Sequence, residues 1–188
     1  MTTDARPGVR FHLGETGAHF DGRQLELSGG TRLDVDFLVV GVGVRPRLDL
    51  MTAAGLAVDK GVVVDAFLET SVAGIYAAGD IARYPDPRSG ELIRVEHWVA
   101  AERQGQAAAL NMMGEHTPFT AVPFFWSHHY DQVIQYVGHA SGGEVATTDG
   151  SIASGHATVR FLRDGHLAAA SIGQHTENLE AERDLSVA

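Results

Sequence analysis

Cysteine is absent from all 188 residues. That excludes disulfide scaffolds, thiolate zinc sites, cysteine-ligated iron–sulfur clusters and any redox-active Cys-x-x-Cys pair. If the chain takes part in redox chemistry, the electrons must sit on a bound cofactor. Basic residues are scarce as well: 14 Lys and Arg stand against 24 Asp and Glu, a formal net charge of −10. So acidic a chain repels phosphate backbones and anionic lipid heads, which argues against nucleic-acid and membrane-surface partners. No window approaches the roughly 18–20 apolar residues of a membrane span. The stretch from Met1 to Gly8 has no apolar run of signal-peptide length. Gly-x-Ser-x-Gly, His-Glu-x-x-His and a Gly-Lys-Ser/Thr phosphate loop are lacking too. With 44% hydrophobic and 20% charged residues, the expectation is an ordinary cytoplasmic globular protein of one domain or two small ones.

Glycine, by contrast, is plentiful. The 22 glycines are spread between short apolar runs, the texture of short strands joined by tight turns. Val9–Leu13 alternates. Asp21-Gly22 is a turn signal before the alternating Gln24–Leu27, and Gly29-Gly30 turns again before Leu33–Val40. Residues 9–41 are therefore expected to form an antiparallel meander whose last strand, Phe37–Val40, is buried on both faces. Its apolar surface is expected to promote self-association if left uncovered. A short helix over Leu48–Ala54, stopped by Gly55, and a hairpin of Leu56–Val58 with Val62–Val64 follow. Residues 81–94 are expected to be a polar loop. Val95–Met113 is the one long helix, stopped by Gly114, and Gly105 in its middle suggests close approach of a backbone or ligand. Beyond Pro118 the chain is rich in aromatic and β-branched residues, with a hairpin turn at Arg163–His166 and an acidic helical start at Glu177–Leu185. Residues 118–175 are expected to form a small, mainly antiparallel α+β domain.

Chemistry concentrates in Thr70–Asp80. The apolar run Ile75–Ala78 ends abruptly at Gly79-Asp80, which sets a carboxylate at the carboxyl end of a strand, where open α/β sheets bind ligands. Gly79 leaves room for a ligand to approach the backbone, and a carboxylate there suits sugar-like hydroxyls. An ordinary strand followed by an Asx turn fits the same residues. Trp98 and Trp126 equally suit a core role. His128-His129 is an adjacent pair, but neighbours on a strand point to opposite faces, so a shared metal is poorly served. Glu177, Glu180, Glu182 and Asp184 suit a solvated helix face or a docking surface.

Taken together, Thr70-x4-Ile75-Tyr76-Ala77-Ala78-Gly79-Asp80 is similar to the second FAD-binding signature of the pyridine nucleotide-disulfide oxidoreductases. Asp36–Pro46 resembles the strand on which that family's NAD-binding domain ends. Arg94–Trp98, Gln104-Gly105 and Pro123–Ser127 resemble its ferredoxin- and rubredoxin-reductase branch, which includes apoptosis-inducing-factor-like proteins. The resemblance covers residues 9 to 183 or so. It implies a mixed α/β and α+β architecture in three parts. Residues 1–46 would be the tail of an NAD-binding domain, 47–117 the C-terminal part of a Rossmann-like FAD-binding domain, and 118–188 a reductase C-terminal domain. By the same resemblance Asp80 binds the flavin ribityl chain and Gly79 gives it room. Glu96, His97 and Trp98 open a helix whose positive end faces the flavin pyrimidine, with Glu96 also meeting the nicotinamide carboxamide. Trp126 packs near the isoalloxazine, and Gly41, Val42 and Gly43 lie beside the nicotinamide. The cofactors implied are FAD and NAD(P)H, and the partner is a ferredoxin- or rubredoxin-like electron acceptor.

One departure stands against these matches. The family uses two Gly-x-Gly-x-x-Gly turns, one for each dinucleotide, and this chain has neither: Gly41-Val42-Gly43-Val44-Arg45-Pro46 puts proline where the third glycine belongs. The expectation is a chain that supplies half a flavin site and is incomplete without an N-terminal half or a second copy. The alternative is a catalytically silent interaction or dimerisation module derived from the same family.

Overall fold

In the computed structural model, which describes residues 8–140, 142, 145–162 and 166–173, the chain divides into two units, Met1–Val44 and Arg45–Ala188. The first is built on β1 (Gly17–Phe20), β2 (Gln24–Leu27) and β3 (Arg32–Asp34), an antiparallel meander in that order. Its first turn is set by Asp21, whose Oδ1 accepts the N–H groups of Arg23 at 2.9 Å and Gln24 at 2.6 Å. The bonds from Gln24 and then Arg23 hold the carboxyl below its usual range. Gly30 at φ +85° closes the second turn, and Glu26 pairs with Arg32 across it at 3.1 Å.

Two expectations for this unit fail. Val9–Leu13 is not a strand; the meander starts at Gly17. Phe37–Val40 is neither a strand nor buried: Phe37 is 75% and Val39 80% exposed. A doubly buried strand needs a hydrogen-bonded neighbour and a covered face, and the described residues of this unit offer Phe37–Val40 neither.

The second unit contains α1 (Asp49–Ala53), β4 (Val62–Val63), β5 (Ala82–Pro85), β6 (Leu92–Ile93) and α2 (Trp98–Met112). The hairpin expected at Asp59–Gly61 survives only as a single bridge, Val58 to Val62. The main partner of β4 is β5, in parallel, and β5 pairs antiparallel with β6. So residues 81–94, expected to be a loop, carry two strands. Ala82 and Tyr84 point inward and meet Val62, Val64, Leu68, Ile93, Ala108 and Phe119 in the main core. That burial drives β5, although Arg83 and Pro85 make its sequence look like a loop.

Buried polar groups tie this core to its loops. Asn111, on the inner face of α2, donates to the carbonyls of Phe67 (2.8 Å) and Thr117 (2.9 Å), and its Oδ1 accepts the Thr117 N–H at 2.7 Å. Asp86, 1% exposed, pairs with Arg88 at 2.5 Å and accepts the Ser89 hydroxyl at 2.8 Å. Helix α2 buries Ala100, Gln104, Ala108 and Asn111, a row at helical spacing. It ends at Met113, with Gly114 at φ +97°. Nothing lies within 4 Å of a Cβ placed on Gly105, so the close approach expected there does not occur among the described residues.

The remainder is an antiparallel five-stranded sheet in the order β7-β8-β11-β10-β9. Its strands are β7 (Phe124–His129), β8 (Gln132–Gly138), β9 (Val145–Ser151), β10 (His156–Leu162) and β11 (His166–Ile172). Residues 163–165, most of the expected turn, and Glu177–Leu185 lie outside the described residues. No helix among the described residues is long and apolar enough to cross a membrane.

Candidate functional site

The run Ile75–Ala78 does not form the regular strand its sequence suggests. It is held by one bridge, Tyr76 to Glu69, and by the Ala77 N–H on the Leu68 carbonyl at 3.1 Å. At its end Gly79 turns the chain at φ +81°, a backbone state that glycine enters without strain. A Cβ placed there would lie 3.3 Å from the Ala101 Cβ of α2. The Ala82 N–H closes the turn on the Gly79 carbonyl at 2.9 Å, and β5 leaves from it. Asp80 sits on the outside of this turn, exposed. Its carboxylate makes no hydrogen bond or ion pair with any described residue.

Two side chains join this turn to α2. Gln104, 1% exposed, accepts the Gly79 N–H on its Oε1 at 2.7 Å, while its Nε2 is buried with no partner among the described residues. Arg94 donates to the Asp80 carbonyl at 2.9 Å and pairs with Glu96 at 2.7 Å. The Gly79-Asp80 turn and the approach to α2 are thereby pinned at one place.

His97 is the N-cap of α2: its Nδ1 accepts the Val99 N–H at 3.3 Å. Its ring also meets Trp98, Phe125 and Trp126 at centroid distances of 5.9, 5.8 and 5.9 Å. Trp98 and Trp126 stand edge to face at 5.9 Å and are 61% and 39% exposed. An aromatic cluster so open is not a core. The partial positive charge of a helix N-terminus lies beside it.

Six expected site residues therefore share this unit: Gly79, Asp80, Glu96, His97, Trp98 and Trp126. Gly41, Val42 and Gly43 belong to the first unit, where Gly41 and Val42 line a cavity of about 280 Å³ with Phe20 and Leu38. Arg94 and Gln104 were not among the expected site residues. Both lie in stretches that resemble the reductase branch, Arg94–Trp98 and Gln104-Gly105, and Gln104 also stands out as a polar side chain in the alanine row Ala100–Ala108. His129 meets the Ser127 hydroxyl at 3.0 Å on Nε2, and no group of three His, Cys, Asp or Glu able to hold a metal occurs among the described residues.

An unpaired carboxylate, a helix N-terminus and exposed aromatic faces offer, in turn, acceptors for hydroxyls, partial positive charge and stacking surface. Known proteins are similar to this chain in sequence and fold. The family profile of the pyridine nucleotide-disulphide oxidoreductases matches residues 3–105, and that of the reductase C-terminal domain matches residues 124–186. The chain is 37% identical over 154 residues to the anthranilate 1,2-dioxygenase system ferredoxin–NAD(+) reductase component of Burkholderia cepacia, covering 81% of this chain and 38% of that protein. It is 34% identical over 169 residues to rhodocoxin reductase of Rhodococcus erythropolis, covering 88% and 40%. Among solved structures, a ferredoxin reductase from Rhodopseudomonas palustris is similar with a TM-score of 0.85 at 32% identity, over 96% of this chain and 46% of that one. The covalent putidaredoxin reductase–putidaredoxin complex is similar with a TM-score of 0.85 at 27% identity, over 93% and 44%. The chain thus spans about two fifths of the length of the curated relatives it matches.

Proposed function

The chain belongs to the pyridine nucleotide-disulphide oxidoreductase family, and from that premise we propose that it supplies the ribityl and ring side of an FAD site in a cytoplasmic NAD(P)H:ferredoxin-type reductase. The observation that carries this reading is the Arg94 link, which ties the backbone of Asp80, whose carboxylate is free, to Glu96 just before the N-terminus of α2. The residues present fit such a group. Asp80 has unused acceptors, Gly79 is conformationally set and closely backed by Ala101, and Gln104 keeps an unpartnered buried donor.

In this reading Asp80 accepts hydroxyls of the ribityl chain, and the N-terminus of α2 stabilises negative charge on the ring. Glu96, tethered by Arg94, presents its second oxygen toward the nicotinamide carboxamide. Trp98 and Trp126 cover the ring and keep water from it. When bound, FAD converts a two-electron hydride donor, NAD(P)H, into a one-electron donor to a ferredoxin-like protein, as nicotinamide alone cannot. Residues 1–46 are assigned to the NAD-binding part, 47–117 to the FAD-binding part and 118–188 to the reductase C-terminal part. Neither dinucleotide fingerprint lies within these 188 residues, so the pyrophosphate sites are assigned to polypeptide outside them.

Titration of the chain with FAD, followed by quenching of tryptophan fluorescence, tests the site. Saturable quenching is expected, and Asp80→Ala weakens it about 10- to 100-fold, the scale of lost hydrogen bonds to a charged group. Equal affinity of the two forms contradicts the role of Asp80. A folded wild-type chain that takes up no FAD favours the silent module.

A further inference from the structure

The fold accounts for only half of the Gln104 side chain. Its Oε1 is used: it holds the Gly79 N–H at 2.7 Å, across 25 positions of sequence. Its Nε2, in a side chain 1% exposed, has no partner among the described residues. A buried amide donor without an acceptor is an uncommon feature and calls for an explanation. If packing between Ala100 and Ala108 were the only requirement, methionine or leucine would fill the space with no orphan. Glutamate could accept the same N–H, but only by burying a charge without a partner. The neutral amide supplies the acceptor without that charge and brings a donor with it.

We infer that Gln104 is a positioning residue that fixes the Gly79-Asp80 turn through Oε1 and holds Nε2 ready as a hydrogen-bond donor to a ligand seated on that turn. Gly79 has no side chain with which to anchor itself, and at φ +81° its amide would otherwise be free to rotate the turn. The Gln104 bond removes that freedom from inside, as Arg94 does from outside on the Asp80 carbonyl. The backbone from which the Asp80 carboxylate projects is thus set before any ligand arrives, which lowers the cost of ordering the turn on binding. The donor role rests on the flavin reading proposed above; the positioning role does not.

The test uses the whole chain with two substitutions, Gln104→Met, which keeps the volume and drops both polar atoms, and Gln104→Glu, followed from pH 7 to 9, which keeps an acceptor and drops the donor once its carboxyl ionises. Amide hydrogen exchange reads the turn. Gln104→Met is expected to speed exchange at Gly79 by about 10- to 100-fold, the scale of one lost buried hydrogen bond, and to leave strands β8, β10 and β11 as they were. Gln104→Glu is expected to keep Gly79 protected. Unchanged Gly79 exchange in Gln104→Met overturns the positioning role, and so does faster exchange throughout the unit. FAD titration reads the donor. Gln104→Glu is expected to bind FAD about 10-fold or more weakly than wild type while Gly79 stays protected; wild-type affinity overturns the donor role. Should wild type and Asp80→Ala bind FAD alike, the flavin reading falls and takes the donor role with it, while exchange at Gly79 still decides the positioning role.

Discussion

The two units treat the same kind of residue in opposite ways. In Arg45–Ala188, Val62 and Leu68 are 0% exposed, sealed by β5 and α2. In Met1–Val44, the valine-rich run Phe37–Val44 is open, with Val42 89% exposed. Both stretches are apolar enough for a core, yet among the described residues only one is buried by elements of its own unit. The difference teaches that hydrophobic sequence specifies a wish to be buried, while burial itself depends on which partner elements the chain supplies. The second unit is written to stand on its own core; the first is written for company.

The largest expected break in this contrast is at Asp86. Asp86→Ala leaves the Arg88 guanidinium buried without its partner and removes both Ser89 bonds. It is expected to destabilise the second unit by about 3–5 kcal/mol, the usual scale for breaking a buried pair. Urea unfolding followed by tryptophan fluorescence reads it, since both tryptophans lie in that unit; a loss below about 1 kcal/mol contradicts the buried-pair account.

A pH dependence follows from Tyr84. Burial first, and then the nearby Asp86 carboxylate, pushes its phenol well above the ordinary value, while Arg88 acts the other way. The folded state therefore keeps a proton that the unfolded state gives up near pH 10. The stabilising contribution is complete below that pH, because both states are then protonated alike. It is lost as the pH rises further, because ionisation favours the unfolded chain. At about pH 11 the loss amounts to roughly 1 kcal/mol. Tyr84→Phe, which also removes a buried hydroxyl with no partner among the described residues, is expected to abolish that alkaline loss without harm at pH 7. Parallel stability curves for the two proteins from pH 8 to 11 contradict it.

Much of the local structure was legible. The Asp21 turn, the glycine after α2 and the aromatic strands β7 and β8 announce themselves because each depends on neighbours in sequence. Phe37–Val40 misleads for the reason just given: a buried strand and an exposed apolar run have one sequence and differ only in partners. Strand β5 stays hidden because Ala82–Pro85 becomes a strand only by pairing with Val62–Val63, some twenty residues before it, and with Leu92–Ile93 after it. In the candidate site, Asp80, His97, Trp98 and Trp126 stand out by residue type and motif. Arg94 and Gln104 sit in such motifs too, but their roles stay hidden because they lie in bonds to backbone atoms 14 and 25 positions distant.

Gly105 offers a gentler test of the second unit. It lies mid-helix, is exposed and faces open space, so Gly105→Ala is expected to raise stability by about 0.5–1 kcal/mol. A loss would mean that something does approach that face. The smallest effect on stability is expected in the first unit. Val39→Asp alters an 80% exposed side chain and is expected to shift stability by less than about 0.5 kcal/mol. It is also expected to reduce self-association in sedimentation velocity, since it breaks an uncovered apolar run. An unchanged oligomer distribution separates the open run from self-association.

The central claim is that the carboxylate of Asp80 receives the ribityl hydroxyls of FAD, and carboxylate carbon-13 NMR during an FAD titration tests it most directly. The Asp80 signal is predicted to move in step with saturation, while that of Asp21, occupied by its own turn in the other unit, stays in place. Saturable FAD binding with the Asp80 signal unmoved would contradict the account.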